Sequence, residues 1–216
     1  MKSIEILGVS KDSIAILFDL LKEIEQMTSF TLYPNIVSDV KPSLPNSKIN
    51  FKIMPFGEAP KVSSKVFFGC STPEIKEKIY TYFNKNHQLK KDNYHKIIHN
   101  TSYVADSSIL DFGVMIEPHT VISSQSRIGF GVYIKRGSLI GHHNVIGDFS
   151  DINSGVVISG KVNIGTGCTI GSGAVIKDNI SIGDHTVIGI GSVVTKDIPE
   201  NCIAFGNPCK VVRIIK

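Results

Sequence analysis

From residue 104 to residue 194, every sixth residue is a branched aliphatic. The sixteen positions are Val104, Leu110, Ile116, Ile122, Ile128, Ile134, Ile140, Ile146, Ile152, Ile158, Ile164, Ile170, Ile176, Ile182, Ile188 and Val194. Isoleucine, leucine and valine make up roughly a fifth of ordinary chains, so an unbroken series of this length does not arise by chance. A period of six is the signature of a parallel β-helix, in which three short strands form each triangular coil and one aliphatic per strand points to the axis. The sequence predicts this fold for about residues 101–198.

Glycine often follows the periodic aliphatic residue. It does so at Gly129, Gly141, Gly147, Gly165, Gly171, Gly183 and Gly189. The chain turns between strands at these points, and glycine adopts positive φ at little cost. We therefore expect positive φ at these seven glycines.

The first hundred residues follow a different pattern. Strand patterns cover Ile4–Val9, Phe30–Val37, Phe51–Met54 and Lys65–Cys70, and helical patterns cover Asp12–Met27 and Pro73–Asn84. Strands that alternate with helices predict a small parallel α/β unit. We expect two domains, a Rossmann-like α/β domain over residues 1–100 and a β-helix domain with a C-terminal tail over residues 101–216.

Composition restricts the partners of the chain. The net charge is +4, and the only arginines are Arg127, Arg136 and Arg213. Nucleic-acid recognition usually relies on arginine and on clustered charge, so we expect no nucleic-acid partner. No stretch approaches the ~20 apolar residues of a membrane span, and the first apolar run is too short for a signal peptide. The four cysteines form no CxxC pair, which favours reduced thiols in a cytoplasmic protein.

Three segments carry a resemblance to a known family. They are LIGHHNVIGDFSDI (Leu139–Ile152), AFGNPCKVV (Ala204–Val212) and VFFGCSTPEIKEKI (Val66–Ile79). Together with the hexapeptide register they resemble bacterial sugar acetyltransferases that join an N-terminal Rossmann-like domain to a left-handed parallel β-helix. The closest resemblance is to N-acetyltransferases of nucleotide-linked 4-amino sugars and to sialic acid O-acetyltransferases. The left-handed winding is implied by this resemblance alone.

The resemblance implies acetyl-CoA as the co-substrate, and it implies roles for several residues. His142 matches the general base, and His143 stands where the family usually has Asp or Glu. Gly160, one coil later, matches an oxyanion donor, and Asp151, Ser172 and Ile190 match positions that contact acetyl-CoA. The sequence leaves open whether Asp148 or Asp151 replaces the missing carboxylate.

The acceptor is expected to bind the N-terminal domain. Relatives place phosphates in a glycine-rich turn at the start of the first helix, where this chain has LGVSKDS (Leu7–Ser13) with only Gly8 matching. Ser10 and Lys11 can still contact a phosphate. Gly69, after a later strand, is the second matching acceptor contact.

These matches imply acetylation of the amino group of a nucleotide-linked amino sugar, in surface polysaccharide or glycan biosynthesis. A homotrimer is expected, with Val132, Val145, Val157 and Val175 at its contacts and acetyl-CoA between neighbouring copies, reaching Gly206–Pro208. The alternatives are O-acetylation of a sugar hydroxyl and a non-catalytic β-helix scaffold. A zinc hydratase is disfavoured because its histidine set is missing, so no metal is expected.

Overall fold

A computed structural model gives the structure of the protein. It describes residues 4–8, 11–26, 29–34, 50–61 and 65–215. The chain divides into two compact units, Met1–Ile97 and Ile98–Lys216.

The N-terminal unit is a parallel α/β sheet. Its elements are β1 (Ile4–Leu7), α1 (Lys11–Glu25), β2 (Ser29–Tyr33), β3 (Asn50–Ile53), β4 (Val66–Phe68) and α2 (Pro73–His87), followed by a 3₁₀ turn (Lys91–Asn93). The strand order is β3-β2-β1-β4, with β1 parallel to both of its neighbours. The buried face of α1 includes Ile14, Leu17 and Leu21, at helical spacing. The α/β prediction is thereby confirmed.

From Ile97 to Val194 a two-residue strand repeats every six residues, and two longer strands complete the C-terminal unit. Its strands are β5 (Ile97–Ile98), β6 (Tyr103–Val104), β7 (Ile109–Leu110), β8 (Met115–Ile116), β9 (Val121–Ile122), β10 (Arg127–Ile128), β11 (Tyr133–Ile134), β12 (Leu139–Ile140), β13 (Val145–Ile146), β14 (Asp151–Ile152), β15 (Val157–Ile158), β16 (Asn163–Ile164), β17 (Thr169–Ile170), β18 (Val175–Ile176), β19 (Ser181–Ile182), β20 (Val187–Ile188), β21 (Val193–Val194), β22 (Cys202–Phe205) and β23 (Lys210–Ile214).

From β5 to β21 every third strand joins the same sheet, so the coil is a triangular prism. Sheet 1 contains β5, β8, β11, β14, β17, β20, β22 and β23; sheet 2 contains β6, β9, β12, β15, β18 and β21; sheet 3 contains β7, β10, β13, β16 and β19. Equivalent residues of neighbouring coils are eighteen apart, as in the pair Leu139 and Val157. The second residue of each strand from β6 to β21 points inward. The periodic aliphatics are buried from Ile116 to Val194, while Val104 and Leu110 are partly buried against the same core.

The expectation of positive φ at the seven glycines is wrong. None of them has positive φ, which occurs instead two residues later, for example at Gly131, His143 and Gly173. The glycines are required by close approach of neighbouring coils. A Cβ atom at Gly147 would lie 2.5 Å from the carbonyl carbon of Gly165, one coil later. Glycine at this position lets the backbones of adjacent coils touch.

A ladder of polar side chains connects the coils at the edge between sheets 3 and 1. The hydroxyl of Ser150 donates to the Gly165 carbonyl over 2.8 Å, and the thiol of Cys168 donates to the Gly183 carbonyl over 3.1 Å. Ser126 makes the equivalent bond to the Gly141 carbonyl at the edge between sheets 2 and 3. Each of these bonds joins a side chain to a backbone carbonyl of the next coil, and the Gly141 carbonyl also accepts from the side-chain amide of Asn144.

The tail closes the C-terminal end of the prism. β22 extends sheet 1 beside β20 and pairs antiparallel with β23. Cys202 and Ala204 are fully buried and belong to the same core as the periodic aliphatics. The tail is therefore part of the β-helix core.

Candidate active site

Two adjacent histidines define the candidate site. The turn at residues 141–144 joins β12 of sheet 2 to β13 of sheet 3, and we call this edge of the prism the histidine edge. His142 and His143 are both exposed there. Their Nδ1 atoms lie 2.9 Å apart, and the ring planes are nearly perpendicular at 89°. At that distance one Nδ1 donates a hydrogen bond and the other accepts it.

The Nε2 edge of His142 lies against Gly160, one coil later. A Cβ atom built on Gly160 would be 2.6 Å from Nε2 of His142 and 2.7 Å from its Cε1 atom. Any side chain at residue 160 would therefore occupy the space of the imidazole. The prediction that Gly160 lies one coil from His142 agrees with this geometry.

Backbone stacking fixes the neighbours of His143. Gln125, His143 and Lys161 all have φ of 58–59° and occupy the same turn position in three successive coils. The His143 N–H donates to the Ser124 carbonyl, and the Lys161 N–H donates to the His142 carbonyl, each over 2.9 Å. His143 is thus held in the left-handed region, which non-glycine residues seldom adopt.

Neither candidate carboxylate partners His142. Asp148 accepts a hydrogen bond from the Phe130 N–H over 2.9 Å, which connects two coils. Asp151 is buried and binds the Lys135 ammonium over 2.8 Å. The partner of Nδ1 on His142 is His143. Asp151 was also expected to contact acetyl-CoA; its burial in this ion pair leaves it 5% exposed.

The remaining positions predicted for acetyl-CoA lie on another edge of the prism. Ser172 and Ile190 are exposed at the edge between sheets 1 and 2. A single chain therefore does not bring them beside His142 and Gly160, because sheet 2 separates the two edges. The separation is visible in the sequence, because Ser172 and Ile190 are not a multiple of eighteen residues away from His142.

A strip of backbone without side chains runs along that second edge, and the hexapeptide pattern of aliphatic residues does not predict it. Gly137, Gly155, Gly173 and Gly191 occupy one turn position in four successive coils, all with positive φ. A Cβ atom at any of them would meet no atom within 4 Å. On the histidine edge the equivalent position holds Gln125, His143 and Lys161, so this backbone conformation alone does not demand glycine. We call residues 137, 155, 173 and 191 the glycine strip.

The outward face of sheet 2 is apolar along its whole length. The first residue of each strand points outward, and in sheet 2 these residues are Tyr103, Val121, Leu139, Val157, Val175 and Val193. Tyr103 is 61% exposed and Leu139 is 46% exposed. The expectation that Val132 lies at a subunit contact is wrong, because Val132 is fully buried in the prism core. Val157 and Val175 belong to the sheet 2 face, and Val145 is exposed on sheet 3.

In the N-terminal unit, the carboxyl ends of β1 and β4 meet at two glycines. Gly8 has φ of 71°, and the Gly69 N–H donates to the Leu7 carbonyl over 2.8 Å. A Cβ atom on Gly69 would lie 1.9 Å from the Gly8 carbonyl oxygen, so only glycine fits there. Lys11 is the first residue of α1, whereas Ser10 lies outside the described residues.

Within the described ranges, no three His, Cys, Asp or Glu side chains are grouped as a metal site. The same ranges contain no helix with the length and apolar character needed to cross a bilayer. All four cysteines lie among the described residues, where they are buried and form no disulfide.

No protein-family model matches the chain, and no curated protein matches it in sequence. Solved structures match over nearly the full length. A histidine-to-asparagine mutant of perosamine N-acetyltransferase from Caulobacter crescentus, in complex with CoA and GDP-perosamine, is 18% identical with a TM-score of 0.77, covering 99% of this chain and 97% of that one. The acetyltransferase domain of PglB from Neisseria gonorrhoeae, in complex with acetyl coenzyme A, is 19% identical with a TM-score of 0.83, covering 98% and 99%. WeeI from Acinetobacter baumannii is 22% identical with a TM-score of 0.81, covering 98% and 100%.

The likeness covers both units of the chain in each case. The chain therefore shares the fold of these bacterial acetyltransferase structures, an N-terminal Rossmann-like α/β unit followed by a left-handed parallel β-helix.

Proposed function

We propose that this protein transfers the acetyl group of acetyl-CoA to the amino group of a nucleotide-linked amino sugar. The observation that carries the proposal is the paired His142 on an exposed prism edge, with Nδ1 bound to His143 and Nε2 against a glycine. The chain shares its fold with structures that were solved with CoA and GDP-perosamine or with acetyl coenzyme A.

The chemistry follows from Nε2 of His142, the ring nitrogen that does not face His143. If Nδ1 of His142 donates to His143, Nε2 carries the lone pair and can accept a proton from the attacking amine. The Gly160 N–H donates to no group among the described residues, so it is available to the oxyanion of the tetrahedral intermediate. Both groups lie one coil apart on the same edge.

The nucleotide is proposed to bind the N-terminal unit at Gly8 and Gly69. They lie at the carboxyl ends of adjacent parallel strands, and the strand order β3-β2-β1-β4 changes direction between β1 and β4. Ligands of open α/β sheets bind at such a switch point. The bare backbone there allows close approach of phosphate to the N–H groups at the start of α1. Ser10 and Lys11 are proposed to contact the same phosphates.

Acetyl-CoA is proposed to bind between copies of a homotrimer. Burial of the apolar sheet 2 face at a threefold axis would bring the histidine edge of one copy against the glycine strip of the next. The strip is free of side chains, so the thin pantetheine arm can lie along it past Ser172 and Ile190 to Gly206. In this arrangement, His142 and Gly160 of one copy would lie beside Ser172 and Ile190 of the next copy.

A turnover assay tests the proposed function. Release of free CoA thiol is measured with acetyl-CoA and GDP-perosamine, other nucleotide-linked amino sugars, or free sialic acid. Turnover of an amino sugar is expected, and His142→Ala should lower kcat by about 10²–10⁴, as for loss of a general base. Turnover of sialic acid alone would point to a hydroxyl acceptor. If the protein neither turns over any acceptor nor binds acetyl-CoA, it is a non-catalytic β-helix scaffold. We further propose that the protein is cytoplasmic, because its four buried cysteines form no disulfide.

A further inference from the structure

The partner of His142 is a second titratable imidazole. His143 holds Nδ1 of His142 by its own Nδ1, at 2.9 Å. A carboxylate at residue 143 could only accept the hydrogen bond from Nδ1–H of His142 and stabilise the imidazolium form of that ring. An imidazole has a second nitrogen, and His143 is exposed, so its Nε2 can exchange protons with solvent.

We propose that His142 and His143 form a two-histidine proton relay between the reacting amine and solvent. The proposal rests on the proposed function for its first step. In the starting state, Nδ1–H of His142 donates to Nδ1 of His143, and His143 carries its proton on Nε2. His142 Nε2 then takes the proton of the attacking nitrogen, Nδ1–H of His142 passes to Nδ1 of His143, and Nε2–H of His143 leaves to solvent.

After the relay, each of the two rings is in the opposite neutral tautomer. His142 now carries a proton on Nε2, and His143 carries its proton on Nδ1, so both rings are neutral. His142 Nε2–H can protonate the departing CoA thiolate, Nδ1–H of His143 returns to His142, and His143 Nε2 takes a proton from solvent. The amine loses one proton, the thiolate gains one, and the starting pair is restored.

The backbone conformation suits this function. The His143 N–H donates to the Ser124 carbonyl of the previous coil, and the His142 carbonyl accepts from the Lys161 N–H of the next coil, so the backbone at His143 is held at φ of 58°. The 2.9 Å contact between the Nδ1 atoms places the two rings side by side. Gly160 fixes the other side of the His142 ring. Two constrained rings keep the Nδ1–Nδ1 bond in place while the protons move.

Three variants separate the relay from simple orientation. Asn tolerates left-handed φ and can accept a hydrogen bond, but it cannot pass a proton on, so His143→Asn removes only the relay. His143→Glu restores a carboxylate that accepts the bond from His142. His185→Asn is the matched control, since His185 is an exposed histidine with φ of 52° on the edge between sheets 3 and 1.

The test is a proton inventory, in which single-turnover rates are measured in mixtures of H₂O and D₂O. The wild type and His185→Asn should give a curved plot that indicates two protons in flight. His143→Asn should be slower by about 10–10²-fold, which is less than the loss of the base itself, and should give a linear plot. His143→Glu should retain activity and also give a linear plot. A linear wild-type plot, or a curved plot in His143→Asn, would overturn the relay.

A second measurement does not depend on acetyl transfer. In ¹⁵N-histidine spectra of the resting protein, one Nδ1 of the pair should be protonated, and its hydrogen bond to the other Nδ1 should give a coupling signal between the two ¹⁵N nuclei. This signal should vanish in His143→Asn, where the acceptor is an oxygen. If the signal is present but no amino sugar is acetylated, the proposed function fails and the bonded pair stands. If acetylation occurs without the signal, the relay fails and the proposed function stands.

Discussion

At the scale of single residues, Gly160 offers the most direct test of how His142 is held. Its φ is not in the left-handed region, so alanine suits the backbone there. The added Cβ would nevertheless lie 2.6 Å from Nε2 of His142 and must displace the ring. We expect Gly160→Ala to lower kcat by at least about tenfold through loss of base positioning. The melting temperature should stay close to that of the wild type. Unchanged kcat in a folded variant would show that the ring position is unimportant.

Cys168 provides a residue-scale prediction of pH dependence. Burial raises the pKa of its thiol to about 11, above an ordinary value of 9.0. The folded protein therefore keeps this proton between pH 9 and 11 while the unfolded chain releases it. The protonated thiol contributes about 2–3 kcal/mol to the free energy of unfolding below about pH 9. This contribution is lost as the pH rises towards 11.

Cys168→Ser should remove this part of the alkaline sensitivity. Ser150 makes the same hydrogen bond to a carbonyl of the next coil, so serine fits the position. Melting temperatures of the two proteins, measured from pH 7 to 10.5, should converge or cross in favour of the serine variant above pH 9. A constant difference across this range would mean that the thiol does not titrate as its burial implies.

At the scale of elements, the glycine strip can be filled without distorting the turn. Asn tolerates positive φ, and a Cβ atom at Gly155 or Gly173 meets open space. We expect Gly155→Asn and Gly173→Asn to raise KM for acetyl-CoA by about tenfold or more, with KM for the acceptor unchanged. His185→Asn, at the same turn position on another edge, should leave both constants unchanged. Equal changes in both constants would indicate that the strip is not the acetyl-CoA slot.

The elements also separate what the sequence could predict from what it could not. The phase of the hexapeptide repeat predicts that Ile140 and Ile158 point inward, because the strands of successive coils stack in register. It did not reveal why Gly147 is a glycine, since the clash at 2.5 Å is with a residue eighteen positions away. It also misassigned Val132, a turn residue whose side chain enters the core. The bond between His142 and His143 depends on side-chain rotamers, which the repeat does not determine.

At the scale of the whole molecule, the apolar face of sheet 2 predicts assembly. Exposed apolar residues that form a continuous patch usually mark an interface. We expect a trimer by light scattering at micromolar concentration. Leu139→Glu combined with Val175→Glu should give a folded monomer without acetyl transfer. Ser181→Glu, an outward position of sheet 3, should remain trimeric. A wild-type monomer with full activity would rule out a site shared between copies.

The stacked coils also fix distances along the prism axis. Each coil adds one strand spacing of about 4.8 Å along the prism axis. The distance from His142 to Gly206 is therefore set by the number of coils between them, independently of the side chains that decorate the edges. Insertion of a second copy of residues 163–180 would preserve every turn and lengthen this distance by one step. A ligand that must reach from the reacting histidine to the tail would then fall short by the height of one coil.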